Sequence, residues 1–171
     1  MKKLLCILLS AASSAFAAGS YVGGNVGYLV DSEDVFIAGH LGVDLSKAET
    51  LLHGVEVEVG YAHQSDFGAS ADIIPVMLNY RFATKPLDKS VSFYAGAGAG
   101  ASNVRIWGFG LSDDGWAFTA QAFTGVAFKA TERVTLKAGV RYLWIDEVKL
   151  FNYPITVGDD VAVELGLGVR F

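Results

Sequence analysis

The chain has 171 residues, with 13 basic residues against 18 acidic, 20 glycines, 3 prolines and one cysteine. A net charge of −5 without a basic cluster argues against a nucleic-acid partner, and a lone cysteine supplies no disulfide framework. Mean hydropathy is +0.39, yet no apolar run after residue 17 is long enough for a spanning helix, which excludes a helical membrane protein.

Residues 1–17 begin Met1-Lys2-Lys3, continue through the short apolar run Leu4 to Leu9 and end on Ala15-Phe16-Ala17. This reads as a secretory signal cleaved after Ala17, leaving one domain over 18–171. The 171 residues less those 17 leave 154, and loss of Lys2 and Lys3 leaves 11 basic residues against 18 acidic, a net charge of −7 without cysteine.

Eight segments then alternate apolar residues with small or polar ones, the period of a strand. The first runs from about Ser20 to Val30, with Val22, Val26, Tyr28 and Val30 on one face. The second, about Val35 to Leu45, opposes Val35, Ile37, Leu41 and Val43 to His40, Gly42 and Asp44. The third (Leu52 to Ala62) opposes Val55, Val57, Val59 and Tyr61 to Glu56, Glu58 and Gly60, and the fourth (Ile73 to Ala83) opposes Ile74, Val76, Leu78, Tyr80 and Phe82 to Met77, Asn79 and Arg81. In the fifth (Val91 to Ser102) alanines alternate with Gly96, Gly98 and Gly100; in the sixth (Trp116 to Phe128) Phe123 breaks the polar face. The seventh (Arg133 to Ile145) opposes Val134, Leu136, Val140, Tyr142 and Trp144 to Thr135, Lys137, Gly139 and Arg141. The last (Val161 to Phe171) opposes Val163, Leu165, Leu167, Val169 and Phe171 to Glu164 and Arg170.

The expected fold is all-β, an eight-stranded antiparallel transmembrane up-and-down β-barrel with its apolar face outward. Ten residues at ~3.3 Å each, tilted ~40°, rise roughly 25 Å, the height of an outer-membrane apolar band. An even strand count puts both termini on the periplasmic side. Residues 46–50, 84–89 and 129–132 then become periplasmic turns, and 31–34, 63–72, 103–115 and 146–158 outer loops. Pro75, unable to donate to a ladder, predicts a bulge or a paired stretch ending near the outer rim. Tyr21, Phe82, Phe93, Phe128 and Phe171 are expected at the periplasmic rim, and Tyr61, Trp116, Phe118, Tyr142 and Trp144 at the outer rim, as two aromatic girdles. A soluble lipocalin-like barrel would invert the two faces. Alternation alone does not choose between them; the signal, the aromatic strand ends and Phe171 favour lipid outside.

The inward face carries Asp44, Glu56, Glu58 and Glu164 against Arg81, Lys137, Arg141 and Arg170. Buried ions need partners, so these eight are expected to form a charge network that plugs the interior, with Gly96, Gly98 and Gly100 making room for long Arg and Glu side chains. An eight-stranded barrel is narrow enough to be filled in this way. The competing reading is a narrow porin-like pore for small solutes.

The signal, the eight alternating strands and the ending Val163-x-Leu165-x-Leu167-x-Val169-x-Phe171 resemble the small outer-membrane β-barrel proteins of the opacity-porin and OmpA transmembrane-domain type. The resemblance implies a bacterial outer-membrane location. It also implies that Val163, Leu165, Leu167, Val169 and Phe171 form a signal read by the barrel-assembly machinery. Members often carry long adhesive loops; the loops here are short. The expected partners are outer-membrane lipid and lipopolysaccharide, the expected state is a monomer, and no cofactor or metal is expected.

One arrangement invites catalysis: His63-Gln64-Ser65, followed by Asp66 and Asp72. A serine, a histidine and an acid can form a nucleophile and its base. Eight-stranded lipid A deacylase barrels use a His-x-Ser with a Glu, which implies a lipid A-modifying enzyme as a third reading; the residue following Ser65 here is Asp, and no Glu follows at a similar distance. The expectation is a non-enzymatic protein with a structural, envelope-stabilising or surface-binding role.

Overall fold

The computed structural model describes residues 19–47, 51–66, 69–84, 90–108, 111–151 and 153–171. The expected signal at 1–17 and most residues of two expected lower turns lie outside them. Eight strands form: β1 (Ser20–Leu29), β2 (Asp34–Lys47), β3 (Leu51–Asp66), β4 (Ala69–Thr84), β5 (Val91–Gly108), β6 (Leu111–Lys129), β7 (Val134–Leu150) and β8 (Tyr153–Arg170). Each pairs antiparallel with its neighbour in sequence, and β1 pairs with β8, so the sheet closes. Closure leaves no free edge where β1 and β8 pair, from Tyr21↔Arg170 to Leu29↔Ala162. Gly19, where the described residues begin, and Phe171 lie at the lower end.

Alternation sorts the side chains. Val57, Leu78, Val140, Tyr142, Val163 and Leu165 all point outward, Leu165 at 64% exposure. Inward at the same levels are Glu56, Glu58, Asn79, Gln121, Arg141 and Glu164, each 5% exposed or less. A continuous apolar belt around a polar interior is unstable in water and is the expected state in hydrocarbon.

Above the belt the polarity reverses. On β7 the outward residues beyond Trp144 are Asp146, Glu147 and Lys149, while Ile145, Val148 and Leu150 are buried. On β5, Arg105 faces out and Val104 is buried. An inner apolar cluster results, joining Leu29, Phe36, Ile73, Val104, Leu143, Ile145, Val148 and Leu150. This is the pattern of a water-soluble barrel stacked on a membrane one. The residues of β7 past Trp144 add roughly 15 Å at ~3.3 Å each and ~40° tilt.

Three expected outer loops are therefore mostly strand. Residues 63–66 and 69–72, 103–108 and 111–115, and 146–150 and 153–158 continue the hairpins, and the connections shrink to 67–68, 109–110 and 151–152. Polar outward faces in the extension carry the composition of loops, which is why they read as such. The turn between β1 and β2 does fall at 30–33. Asp160 braces it: its carboxylate accepts from the backbone N–H groups of Asp31 and Ser32, each at 3.0 Å, and from the Ser32 hydroxyl.

The β7–β8 hairpin changes phase on the way up. Inward residues are Arg141, Leu143 and Ile145 below but Val148 and Leu150 above; on β8 they are Glu164, Ala162 and Asp160 below but Val157 and Ile155 above. Pairing keeps one offset, from Leu143↔Asp160 to Glu147↔Thr156, because both strands shift together. Gly158 absorbs the change at φ +96, a conformation that disfavours a side chain although space there is open.

Pro75 makes no bulge, but on the β3 side a paired stretch does end at it: the ladder stops at Val59↔Val76 and resumes at Ala62↔Ile73. It is buried in mid-strand, pairs with Ser102 on β5, and leaves the β3 ladder on one offset either side of the gap. Gly60 opposite gives it room: a Cβ there would lie 2.7 Å from the Phe36 ring and 2.8 Å from Pro75. The β5 glycines admit different neighbours from those expected. Gly96 receives the ring of Phe123 and Gly98 the side chain of Asn79, rather than Arg or Glu.

Candidate functional site

The lumen at mid-height is crossed by Arg141. It starts on β7 and reaches β3, donating from Nη1 to Glu58 Oε1 at 2.5 Å and from Nη2 to Oε2 at 3.1 Å. Its Nε donates to Glu164 Oε2 on β8 at 3.0 Å, and Nη1 also donates to Gln121 Oε1 on β6 at 2.5 Å. Gln121 passes the chain on, donating to Glu58 Oε1 at 3.0 Å and to Asn79 Oδ1 at 2.7 Å. Four walls of the barrel are tied through one guanidinium, whose planar fork suits two carboxylates at once. Its carbon lies 5.2 Å from the Phe36 ring centre and 5.6 Å from that of Phe123, so aromatic faces close what the acids leave open.

A second cluster lies below. Arg81 Nε lies 2.8 Å from Glu56 Oε1, and its Nη2 donates to Asp44 Oδ1 at 3.2 Å. Arg170 holds the other Asp44 oxygen at 2.8 Å. Tyr21 donates to Glu56 Oε1 at 2.7 Å and accepts from Arg81 Nε at 3.1 Å. Tyr21 is thus a lumen residue, 6% exposed, and not part of the lower girdle. Gly42 makes this possible, since a Cβ there would come 2.3 Å from the phenol ring. The other rim aromatics, Phe82, Phe93, Phe128 and Phe171 below and Tyr61, Trp116, Phe118, Tyr142 and Trp144 above, are exposed.

Of the eight charges singled out from the sequence, the structure brings seven into these two clusters: Asp44, Glu56, Glu58, Glu164, Arg81, Arg141 and Arg170. Lys137 stands apart, 3.2 Å from His40 Nε2. Sequence reasoning missed Tyr21, Gln121, Asn79 and His40 as members; all four sit at inward positions of the alternation. The Ser102–Thr119 hydroxyl pair, 2.6 Å apart and fully buried, was likewise unmarked.

Two larger cavities lie at the ends. The lower, of about 220 Å³, includes Arg81, Lys137 and Arg170 in its wall; the upper, of about 280 Å³, is lined by Phe36, Ile73, Leu143, Ile145 and Asp159 among others. Between them the charged layer holds a void of about 10 Å³ bounded by His40, Glu58, Lys137, Arg141 and Glu164. That is room for about one water molecule.

The outward face of β3 carries Tyr61, His63 and Ser65 in alternation, directly above the belt. His63 pairs with Asp72 across the β3–β4 ladder, and Nδ1 lies 3.0 Å from Asp72 Oδ1. Tyr61 donates to the same oxygen at 2.8 Å. The acid beside the histidine is therefore Asp72. Ser65 is exposed, two residues along the same face, with no hydrogen bond to His63. Among the described residues no group of three or more His, Cys, Asp or Glu is placed to hold a metal ion. On β8, Val163, Leu165, Leu167 and the terminal Phe171 face outward and Val169 is half-buried.

Residues 4–171 match a family model described as the outer membrane protein beta-barrel domain. Among solved structures, the chain is similar to Neisserial surface protein A, with 17% identity over 90% of this chain and 98% of that one and a TM-score of 0.74. It is also similar to the N-terminal β-barrel domain of Pseudomonas aeruginosa OprF (19% identity, 90% and 98% covered, TM-score 0.58). A third is Ail, the attachment invasion locus protein of Yersinia pestis (14% identity, 91% and 100% covered, TM-score 0.57). No curated protein sequence matches. At such identities the likeness is one of fold, whereas the family match spans nearly the whole chain. With a closed wall of eight strands, an apolar belt and a polar lumen behind that match, the chain belongs to the outer membrane protein beta-barrel domain family and is an integral β-barrel of the bacterial outer membrane.

Proposed function

We propose that this protein is a non-conducting barrel that stabilises the envelope or binds at the cell surface through its outer extension, as a monomer among outer-membrane lipid and lipopolysaccharide, without a cofactor. The observation that carries the reading is the filling of the lumen at mid-height. The Arg141 layer leaves a void of only about 10 Å³ between the lower and upper cavities. Hydrated ions find no path of matching width through that layer. Planar-bilayer recording of the purified barrel tests it: the expected trace is flat, and a steady conductance in most insertions supports the pore instead. We further assign Val163, Leu165, Leu167, Val169 and Phe171 to recognition by the assembly machinery, so F171A is expected to lower the folded fraction in cells while refolding normally in detergent.

A second reading rests on the His63–Asp72 pair. With Nδ1 held by Asp72, the His63 ring presents Nε2 on the lipid-proximal face that also carries Ser65. Ser65 Oγ would attack an acyl ester carbonyl while His63 takes its proton and returns it to the departing sugar hydroxyl; water would then hydrolyse the acyl-serine, releasing the fatty acid and restoring Ser65. Incubation with lipid A and mass analysis of released fatty acid tests it; no release by the wild-type barrel, or equal release by S65A, ends this reading.

A further inference from the structure

The upper cavity, of about 280 Å³, differs from the rest of the lumen in what walls it. Leu29, Phe36, Ile73, Leu143 and Ile145 line it, each 5% exposed or less, and Val157 stands beside them. Side chains around a space larger than one water molecule leave dispersion contacts unmade, and water gains little in an apolar hollow. Such a space takes an apolar guest. Its volume admits roughly nine non-hydrogen atoms at ~30 Å³ each. The floor is closed: the Phe36 ring centre lies 5.2 Å from the guanidinium carbon of Arg141, whose layer leaves a void of about 10 Å³.

The mouth has the opposite chemistry. On β2 and β3 the inward positions next above Phe36 and Ala62 are Asp34 and Gln64, and the turn before Asp34 carries Asp31 and Glu33. Asp31, Ser32 and Gln64 border both this cavity and an adjoining hollow of about 530 Å³, which Glu33 and Asp34 also line. Among the described residues no Lys, Arg or His lines either space, and Asp31, Glu33 and Asp34 enter no ion pair. Asp160, at the same lip, is engaged by the turn it braces. Acids of one sign at the edge of a low-dielectric hollow focus a field that gathers cations and turns anions away. An ammonium group at that level finds acceptors in three carboxylates and the Gln64 carbonyl, whereas the five side chains lower down offer none.

We propose that the upper cavity binds a small monoamine, an alkyl- or arylalkylammonium ion, with its apolar body among Phe36, Ile73, Leu143 and Ile145 and its ammonium group at Asp31, Glu33 and Asp34. With the floor closed, the guest enters and leaves on the outer side. The volume holds one ring or one short chain, which suits a free small molecule rather than a lipid or a peptide. This deepens the surface-binding part of the function proposed above and rests on it. Conductance reads that proposal and amine binding reads this one, so each fails separately.

The test uses the folded barrel purified from the outer membrane into octyl glucoside, titrated calorimetrically at neutral pH and constant ionic strength, with protein-free detergent as the blank. Three guests of similar shape are compared: 2-phenylethylamine, which is cationic, 2-phenylethanol, which is neutral, and phenylacetate, which is anionic. One saturable site is expected for the amine, with the alcohol at least fivefold weaker and phenylacetate weaker still. D31N/E33Q/D34N alters only side chains of the turn and its first strand residue, and should weaken the amine at least fivefold, to the level of the alcohol. E132Q, at the lower end, should bind like wild type. A62L places a larger side chain in the cavity wall and should abolish binding of amine and alcohol alike. The proposal is overturned if wild type shows no saturable amine binding, if it binds the three guests within twofold of one another, or if the turn variant binds the amine within twofold of wild type. Should A62L not fold, the guest series and the turn variant decide.

Discussion

Replacing Arg141 with methionine isolates the central charge layer. The side chains of Arg141 and Glu58 are each 2% exposed and that of Glu164 is 4% exposed. Methionine fills much of the same volume, so the loss is electrostatic rather than a cavity. Removing one partner of a buried ion pair costs about 3–5 kcal/mol, chiefly because the other charge is left buried and unpaired. Here two carboxylates are stranded, and Gln121 loses a donor, which places R141M at the upper end of that range. The triple variant E58Q/R141M/E164Q removes all three charges together. It is expected to recover most of the loss and to end within about 2 kcal/mol of wild type, because neutral amides cost far less to bury. Urea unfolding in lipid vesicles, read by tryptophan fluorescence and by the mobility difference between heated and unheated protein, measures both. If R141M costs less than about 1 kcal/mol, the comparison with exposed ion pairs holds, the lumen is wet, and the occlusion argued from it fails.

Three more substitutions probe other parts of the wall. G42A drives a Cβ to 2.3 Å from the Tyr21 ring and should cost about 1–3 kcal/mol, whereas G39A, whose nearest neighbour is 4.0 Å away, should be close to neutral in the same unfolding assay. L165R places a charge in the middle of the lipid-facing belt and should cost about 2–4 kcal/mol; T156R, outward on the extension, should cost less than about 1 kcal/mol, and equal costs would refute the boundary drawn at the polarity reversal. D160A removes the acceptor of three hydrogen bonds from the β1–β2 turn and should cost about 1–3 kcal/mol, with faster amide exchange at Asp31 and Ser32 as the local signature.

The lipid-facing belt was legible because its period is two and its outward residues are apolar. Val57, Leu78, Val140 and Leu165 mark it without any tertiary information, and all eight strands were found from such residues. The extension was not legible by the same rule. Once Asp146, Glu147 and Lys149 take the outward positions, the strand looks like a solvated loop, and the inward Val148 and Leu150 are too few to restore the signal. Tyr21 was assigned by chemistry, as an interfacial aromatic, when its place in the alternation already turned it inward. Pro75 was judged by its missing donor alone; the glycine across the ladder that accommodates it could be recognised only once the register was known. Inward charges were identifiable one by one. That Arg141 reaches Glu58 across the lumen, 83 positions away in sequence, depends on the closure of the ring. The contact of His63 with Asp72 likewise depends on where the hairpin turns.

The synchronous phase change of the last hairpin bears on how such proteins diversify. Because each strand accommodates the same offset at Gly158 and at Asp146–Glu147, the rungs beneath are undisturbed. A lineage can therefore lengthen, shorten or re-aim this crown by matched insertions or deletions without renegotiating the seam on which β1 and β8 meet. Unmatched changes would turn every residue on one side of the break toward the wrong solvent. Sequence change is thus free to accumulate in pairs at the tip, while the portion below keeps its spacing.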